Sequence, residues 1–140
     1  MSPVHIVIND LSEIAVPFDP ESYLRAVVDA LEIEAGSFEY SFVDKPTILD
    51  VNQTYLGHDY VTDIITFPLD SDPIQGDVYI CLDEVQDNAT DLGHSFEFEL
   101  KIVMIHGVLH LLGYTDYTDE DRAEMDRMQL ELFNRLVGCG

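Results

Sequence analysis

Two histidines and an aspartate at fixed spacing are the residues of this chain best suited to chemistry. His106 and His110 are four residues apart, and Asp116 follows Gly113 by three residues. Residues four apart on a helix project from one face, about 6 Å apart along the axis, so two imidazoles can converge on one cation. A turn at Gly113 can bring Asp116 in as a third ligand. Three protein ligands leave an open position for water, as in a catalytic zinc site.

The same spacing allows two other interpretations. The pattern His-x-x-x-His-x-x-Gly-x-x-ligand is shared with metzincin proteases. In the His-Glu-x-x-His peptidases, the Glu after the first His is the general base, and here that position is Gly107. A zinc peptidase therefore ranks second. A non-catalytic protein that uses zinc as a structural staple is the other alternative, and a fourth protein ligand would favour it.

The helix predicted to carry both histidines has an unusual composition. Residues 99–112 are apolar nearly all round, which predicts a helix buried on most faces at the centre of the domain. Burying two imidazoles in such a helix is unfavourable unless each finds a partner, and a metal ion provides one for both. The composition of the helix therefore strengthens the metal prediction.

The rest of the chain supplies the elements that must position this helix. Apolar alternation predicts strands at 4–8, 38–43, 64–67 and 77–82, with Pro68 and Gly76 in the turn region before the last strand. Helical spacing predicts helices at 21–31 and 46–56, and a last helix begins after Thr118 as its N-cap. We expect one domain, 1–140, of the α+β class: a small four-stranded mixed sheet covered by about five helices.

Charge is the most extreme property of the composition. The 140 residues include 28 Asp and Glu against 6 Lys and Arg, a formal charge of −22, while 46% are apolar. That apolar fraction predicts a folded core and argues against disorder. The charge alone argues against nucleic acid and anionic membranes as partners, because phosphate binding depends on Lys and Arg. No apolar run approaches the ~18 residues of a membrane span, so we expect a cytoplasmic protein.

Three blocks of sequence resemble one enzyme family. The pattern His-Gly-x-Leu-His-Leu-x-Gly-Tyr at 106–114 resembles the HGxLHLxGYDH signature of the YbeY family of bacterial endoribonucleases. Residues 52–68 contain Asn-x-x-Tyr and Thr-Asp-Ile-Ile-Thr-Phe-Pro, similar to the family block N-x-x-Y-R…D-x-P-T-D-V-L-S-F-P. Residues 76–80 resemble its G-D-I-x-I strand. The order of the blocks also agrees.

The resemblance implies a ligand set and shows two departures. His106 and His110 fall on the family's first two metal-binding histidines, which implies one Zn²⁺ per chain. Asp116 stands where the third histidine is usual, and a carboxylate is an acceptable zinc ligand. The family's arginine after Asn-x-x-Tyr is Leu56 here, so a phosphate-binding residue is missing.

The function implied is a zinc-dependent endoribonuclease specific for single strands, acting in 16S rRNA 3′-end maturation and ribosome quality control. With the resemblance, the non-catalytic alternative is a ribosome assembly factor with a structural zinc. Its implied partners are ribosomal RNA and the small ribosomal subunit, with contact through basic ribosomal proteins, and neither DNA nor membrane is expected. The spacing identifies no general base. His58, Asp63 and Asp77 are the candidates, each with a plain structural alternative.

An RNA substrate and a charge of −22 conflict at ordinary salt. Near 1 M salt the Debye length is about 3 Å, so the acidic surface would repel phosphate only at contact. The composition therefore predicts a protein of a salt-rich, halophilic cytosol.

Overall fold

The protein is described from a computed structural model that covers residues 3–137. The strand order in the sheet is β1-β2-β4-β3. Strands β1, β2 and β4 are parallel, and β3 is antiparallel to β4. This mixed four-stranded sheet with five α-helices confirms the predicted α+β class. The elements are β1 (Val4–Asp10), α1 (Pro20–Ala30), β2 (Gly36–Val43), α2 (Lys45–Val51), a π-helical turn (Asn52–Leu56), β3 (Ile64–Ser71), β4 (Ile74–Cys81), α3 (Leu82–Leu92), α4 (Phe96–Leu111) and α5 (Asp119–Arg135).

Side-chain caps fix where α4 and α5 begin. The Thr118 hydroxyl accepts a hydrogen bond from the backbone N–H of Asp121, so α5 starts where the sequence predicts. The Ser95 hydroxyl accepts from the N–H of Phe98, and α4 therefore begins three residues before the predicted start at 99. Both helices carry acidic residues in their first turns, and these negative charges interact favourably with the positive end of the helix dipole.

Helix α4 is the central element, as its composition predicts. Ten of its sixteen residues are buried, and it packs against the sheet and against α1, α3 and α5. Its side chains Leu100, Met104, Ile105, Val108 and Leu109 are fully buried. Truncating a side chain of this kind to Ala costs about 2–5 kcal/mol, so the helix that carries the histidines is firmly held.

The two faces of the sheet have different coverings. Phe38, Tyr40 and Val78 lie on the face that packs in one core with α4, which we call the near face. The other, the far face, packs Ile65 and Cys81 in a smaller cluster with α2. Alternation along a strand therefore decides whether a side chain of β3 or β4 can approach α4.

The predicted turn between the last two strands is wrong in position. Pro68 and Gly76 lie inside β3 and β4 and pair with each other, and the chain reverses at Asp72-Pro73, whose peptide bond is cis. Gly76 lies on the near face against the side chain of Leu111, so the absence of a side chain there allows close approach of α4.

The helix predicted over 46–56 is α2 followed by the π-helical turn. Among residues 3–137, no helix is both long and apolar enough to cross a membrane.

Candidate metal centre

The last two turns of α4 bring His106 and His110 together. Their Nε2 atoms are 2.9 Å apart, and Oδ2 of Asp116 lies 3.7 Å from Nε2 of His106 and 3.6 Å from that of His110. The two histidine side chains are 22% exposed and the aspartate 37%, so the group is sheltered yet open on one side. Within the described part of the chain, these three form the one His/Cys/Asp/Glu group able to hold a metal ion.

A turn after α4 brings the aspartate back to the histidines. The backbone N–H of Leu112 bonds to Val108, and Gly113 then adopts a φ of +101°, which a residue with a side chain rarely takes. The loop that follows is anchored on the start of α5. The Thr115 hydroxyl donates to Asp121 at 2.8 Å, and the Arg122 guanidinium donates to the backbone carbonyl of Asp116 at 3.2 Å.

The other ring nitrogen of His106 also has a partner. Oε1 of Gln129, on α5, lies 2.6 Å from Nδ1 of His106 and is placed to accept its hydrogen. Metal-binding histidines characteristically donate the second ring N–H in this way. A hydrogen on Nδ1 leaves the lone pair on Nε2, the atom that faces His110 and Asp116.

The residues present fit a zinc ion. Ligand atoms that share a tetrahedral zinc at about 2.0–2.2 Å lie about 3.3–3.6 Å from one another, and the three distances here bracket that range. Burial, together with the charge of His106, lowers the pKa of His110. The neutral imidazole, which is the form that binds a metal, is thereby favoured.

Gly107 is enclosed by the sheet. A Cβ built at this position would lie 2.6 Å from the Tyr40 hydroxyl oxygen and 3.3 Å from Cδ1 of Ile64. The Tyr40 hydroxyl donates to the backbone carbonyl of Met104 at 2.8 Å, so the ring is fixed against the helix. Position 107 is thus directed at β2 and β3, where the Glu of a His-Glu-x-x-His peptidase could not be accommodated.

Comparison with known proteins is decisive for the family. The family model described as Endoribonuclease YbeY matches residues 9–137. The chain belongs to the YbeY endoribonuclease family. Two YbeY relatives named Endoribonuclease YbeY are those of Flavobacterium psychrophilum, 41% identical over 117 residues, and Staphylococcus aureus, 42% identical over 134 residues. Each alignment covers 81% of this chain, and 84% and 86% of the respective relative.

Two further similarities complete the comparison. A Ureaplasma parvum protein of the same name is 44% identical over 103 residues, and the match covers 71% of this chain and 66% of the relative's length. The solution structure of a Thermotoga maritima protein superposes with a TM-score of 0.60 at 29% identity, covering 92% of this chain and 91% of that one. The YbeY fold therefore extends over nearly all of the chain.

Of the three candidate bases, Asp63 is the one that interacts electrostatically with the metal group. It precedes β3, where its backbone carbonyl accepts from the N–H of Cys81. Burial raises the pKa of Asp63, and the charge of His106 acts in the opposite direction, so the carboxylate is within electrostatic reach of the site. A carboxylate with a raised pKa is better matched to proton transfer near neutrality.

Asp77 and His58 lie elsewhere. Asp77 follows Gly76 on β4 and so points to the far face, where burial and the charge of Glu39 raise its pKa. The structure therefore does not bring Asp77 together with the metal group. The His58 ring stacks on exposed Tyr60 with centroids 5.2 Å apart, and its Nδ1 lies 3.1 Å from the tyrosine hydroxyl. These contacts hold His58 in its own loop and do not direct it to the metal group.

Leu56, at the YbeY arginine position, is 44% exposed on the π-helical turn and provides no cation. Two residues beside the metal group escaped the sequence analysis. Gln129 and Arg122 lie on α5, whose contacts with the loop cannot be read from local spacing. Gln129 left one signal in the sequence: it is a polar residue in line with the apolar Met125 and Leu132.

Proposed function

We propose that this chain is a zinc-dependent endoribonuclease that acts in ribosomal RNA processing. The observation that carries the proposal is the convergence of three possible metal ligands in a YbeY chain. His106 and His110 come from α4, and Asp116 comes from the loop that follows it. Three protein ligands leave room for water and substrate, which favours a catalytic over a structural ion. As a YbeY protein the chain is a hydrolase that acts on RNA.

Each part of the site has a task in this chemistry. When bound, the ion supplies a Lewis acid that polarises a phosphoryl oxygen and lowers the pKa of water at the open position. Asp63 would take the proton from the attacking water, since it is the candidate carboxylate that interacts electrostatically with His106. Enclosure of Gly107 by the sheet disfavours the peptidase alternative, because no general base can be added beside His106.

Phosphate must be held without the YbeY arginine. Lys45 and Arg127 are engaged in ion pairs with carboxylates, and Lys101 is buried beside Glu97. Arg122 also pairs with Asp119 on its own helix, but it is the cation next to the metal loop, since it donates to the Asp116 carbonyl. We infer that Arg122 contacts substrate phosphate in place of the cation missing at Leu56.

The finer role follows the family. The substrate is single-stranded RNA at the 3′ end of 16S rRNA, and the same activity serves ribosome quality control. Recognition uses the small ribosomal subunit, including basic ribosomal proteins, because a chain of charge −22 is attracted to basic surfaces and repelled by bare RNA.

Elemental analysis paired with RNA cleavage tests the proposal. Wild-type protein should contain one equivalent of zinc and cleave single-stranded RNA, whereas His106→Ala should lack both properties. His5→Ala, an exposed histidine on β1, is the matched control and should retain both. Undiminished cleavage by a zinc-free variant would overturn the mechanism, and cleavage of unstructured polypeptide in a parallel assay would favour the peptidase alternative.

We also propose that the protein works in a salt-rich cytoplasm. The support is the formal charge of −22. Screening at high ionic strength weakens the repulsion between this charge and the phosphates of RNA. Cleavage rate and thermal stability should both rise as KCl increases toward about 1 M. Full activity at low salt that falls as KCl rises would contradict this proposal.

A further inference from the structure

We propose that Gln129 is a positioning residue for the metal ligand His106. Its amide oxygen holds the imidazole in the tautomer with hydrogen on Nδ1, so that Nε2 is free for the ion. The inference rests on the proposed zinc site, but it concerns a residue outside the ligand set and on another helix.

The contact is short and enclosed. Oε1 of Gln129 lies 2.6 Å from Nδ1 of His106, and the glutamine is 6% exposed. Its neighbours on the same face of α5 are the buried Met125 and Leu132. A buried amide in an apolar face is unfavourable unless it is hydrogen-bonded. The imidazole N–H provides that bond, and an apolar residue here would leave the N–H of His106 without it.

The orientation of the amide decides the tautomer. With the oxygen toward Nδ1, the ring hydrogen stays on that atom and the Nε2 lone pair faces His110, 2.9 Å away. The opposite orientation would direct an amide N–H at Nδ1 and move the ring hydrogen to Nε2, where it would block metal binding.

A nearby polar pair does not take the place of Gln129. The groove behind it, about 220 Å³, is lined in part by His94, Glu99 and Asp126. Glu99 is already engaged by Nδ1 of His94 at 2.9 Å. Gln129 is therefore the residue that accepts the hydrogen bond from Nδ1–H of His106.

Zn²⁺ affinity and the tautomer of His106 together test the inference. Gln129→Met keeps the shape but removes the acceptor, and its Zn²⁺ affinity, measured by competition with a chromophoric chelator, should fall about 10–100-fold. Gln129→Glu restores an acceptor and should bring the affinity back toward wild type. Gln86→Met, an exposed glutamine on α3, is the matched control and should bind Zn²⁺ like wild type.

Nitrogen-15 NMR of the imidazoles in metal-free protein separates positioning from simple packing. Wild type and Gln129→Glu should show His106 with hydrogen on Nδ1, and Gln129→Met should shift toward the Nε2 tautomer. The inference is overturned if wild-type His106 carries its hydrogen on Nε2, or if Gln129→Met binds Zn²⁺ as tightly as wild type. Wild-type protein that binds no Zn²⁺ would instead refute the proposed function, while the tautomer still decides the role of Gln129.

Discussion

The two faces of the sheet differ in how closely a helix covers them. On the near face, α4 lies so close that Gly107 is in contact with Tyr40. On the far face, a groove of about 260 Å³ stays open beside Asp77, lined by Tyr55, Phe67 and other apolar side chains. Asp63, by contrast, lies just before β3 and interacts electrostatically with His106.

Tight packing thus coincides with the residues that need fixed positions. A metal site requires its ligands to be held within a fraction of an ångström, and a helix seated on a sheet provides this support. The far face lacks such a covering helix along much of β4, so Asp77 has no comparable framework. Alternation along β4 directs Asp77 away from α4, and this argues against Asp77 as a base at the metal group.

The largest effect should separate the two carboxylates. Asp63→Asn should lower RNA cleavage by about 100-fold or more, because a general base typically contributes at least that much, while zinc content stays at wild-type level. Asp77→Asn should change cleavage by no more than about twofold, as expected for a side chain away from the site. Single-turnover cleavage with elemental analysis provides the measurement. Equal losses in both variants would show that the two carboxylates do not differ in this way.

A smaller effect concerns the packing of α4 on the near face. Gly107→Ala should lower the free energy of unfolding by about 1–3 kcal/mol, because the new methyl group overlaps the Tyr40 hydroxyl. The penalty should shrink when it is measured in a Tyr40→Phe background, where that oxygen is absent. Urea unfolding of the four proteins in the cycle measures this. Additive penalties would mean that the hydroxyl is not the obstacle.

The smallest effect is a pH dependence of the metal-free protein. Burial lowers the pKa of His110 below its ordinary value of 6.5. The unfolded chain therefore binds more protons as pH falls through this range, and the free energy of unfolding should decline below about pH 6.5. Urea unfolding in the presence of a chelator, from about pH 7.5 to about pH 5.5, should show a shallower decline in His110→Gln. An identical decline in both proteins would refute this assignment.

Local sequence patterns anticipated much of the fold and the ligand set. Helical spacing alone places His106 and His110 on one face, and the Thr118 cap fixes the start of α5. The composition of α4, apolar on nearly all faces, correctly predicts its central position. These features depend on residues a few positions apart, which a sequence displays directly.

Contacts between distant residues could not be predicted in the same way. Gln129 lies 23 residues beyond His106, and only the packing of α5 on α4 brings them together. The side of the sheet that Asp77 faces depends on strand register, and the sequence suggested a turn at Gly76 where the structure continues the strand. Both cases require knowledge of which elements are neighbours.

The enclosure of Gly107 also constrains how this protein can evolve. A single nucleotide change can convert a glycine codon into a glutamate codon, which would create the His-Glu-x-x-His sequence of the zinc peptidases. In this fold the new side chain would meet Tyr40 and Ile64, so the mutation would damage folding before any new activity could be selected. Substitutions around the open side of the metal group do not meet this obstacle. A glutamate at position 107 does, so this fold disfavours the evolution of a peptidase by that substitution.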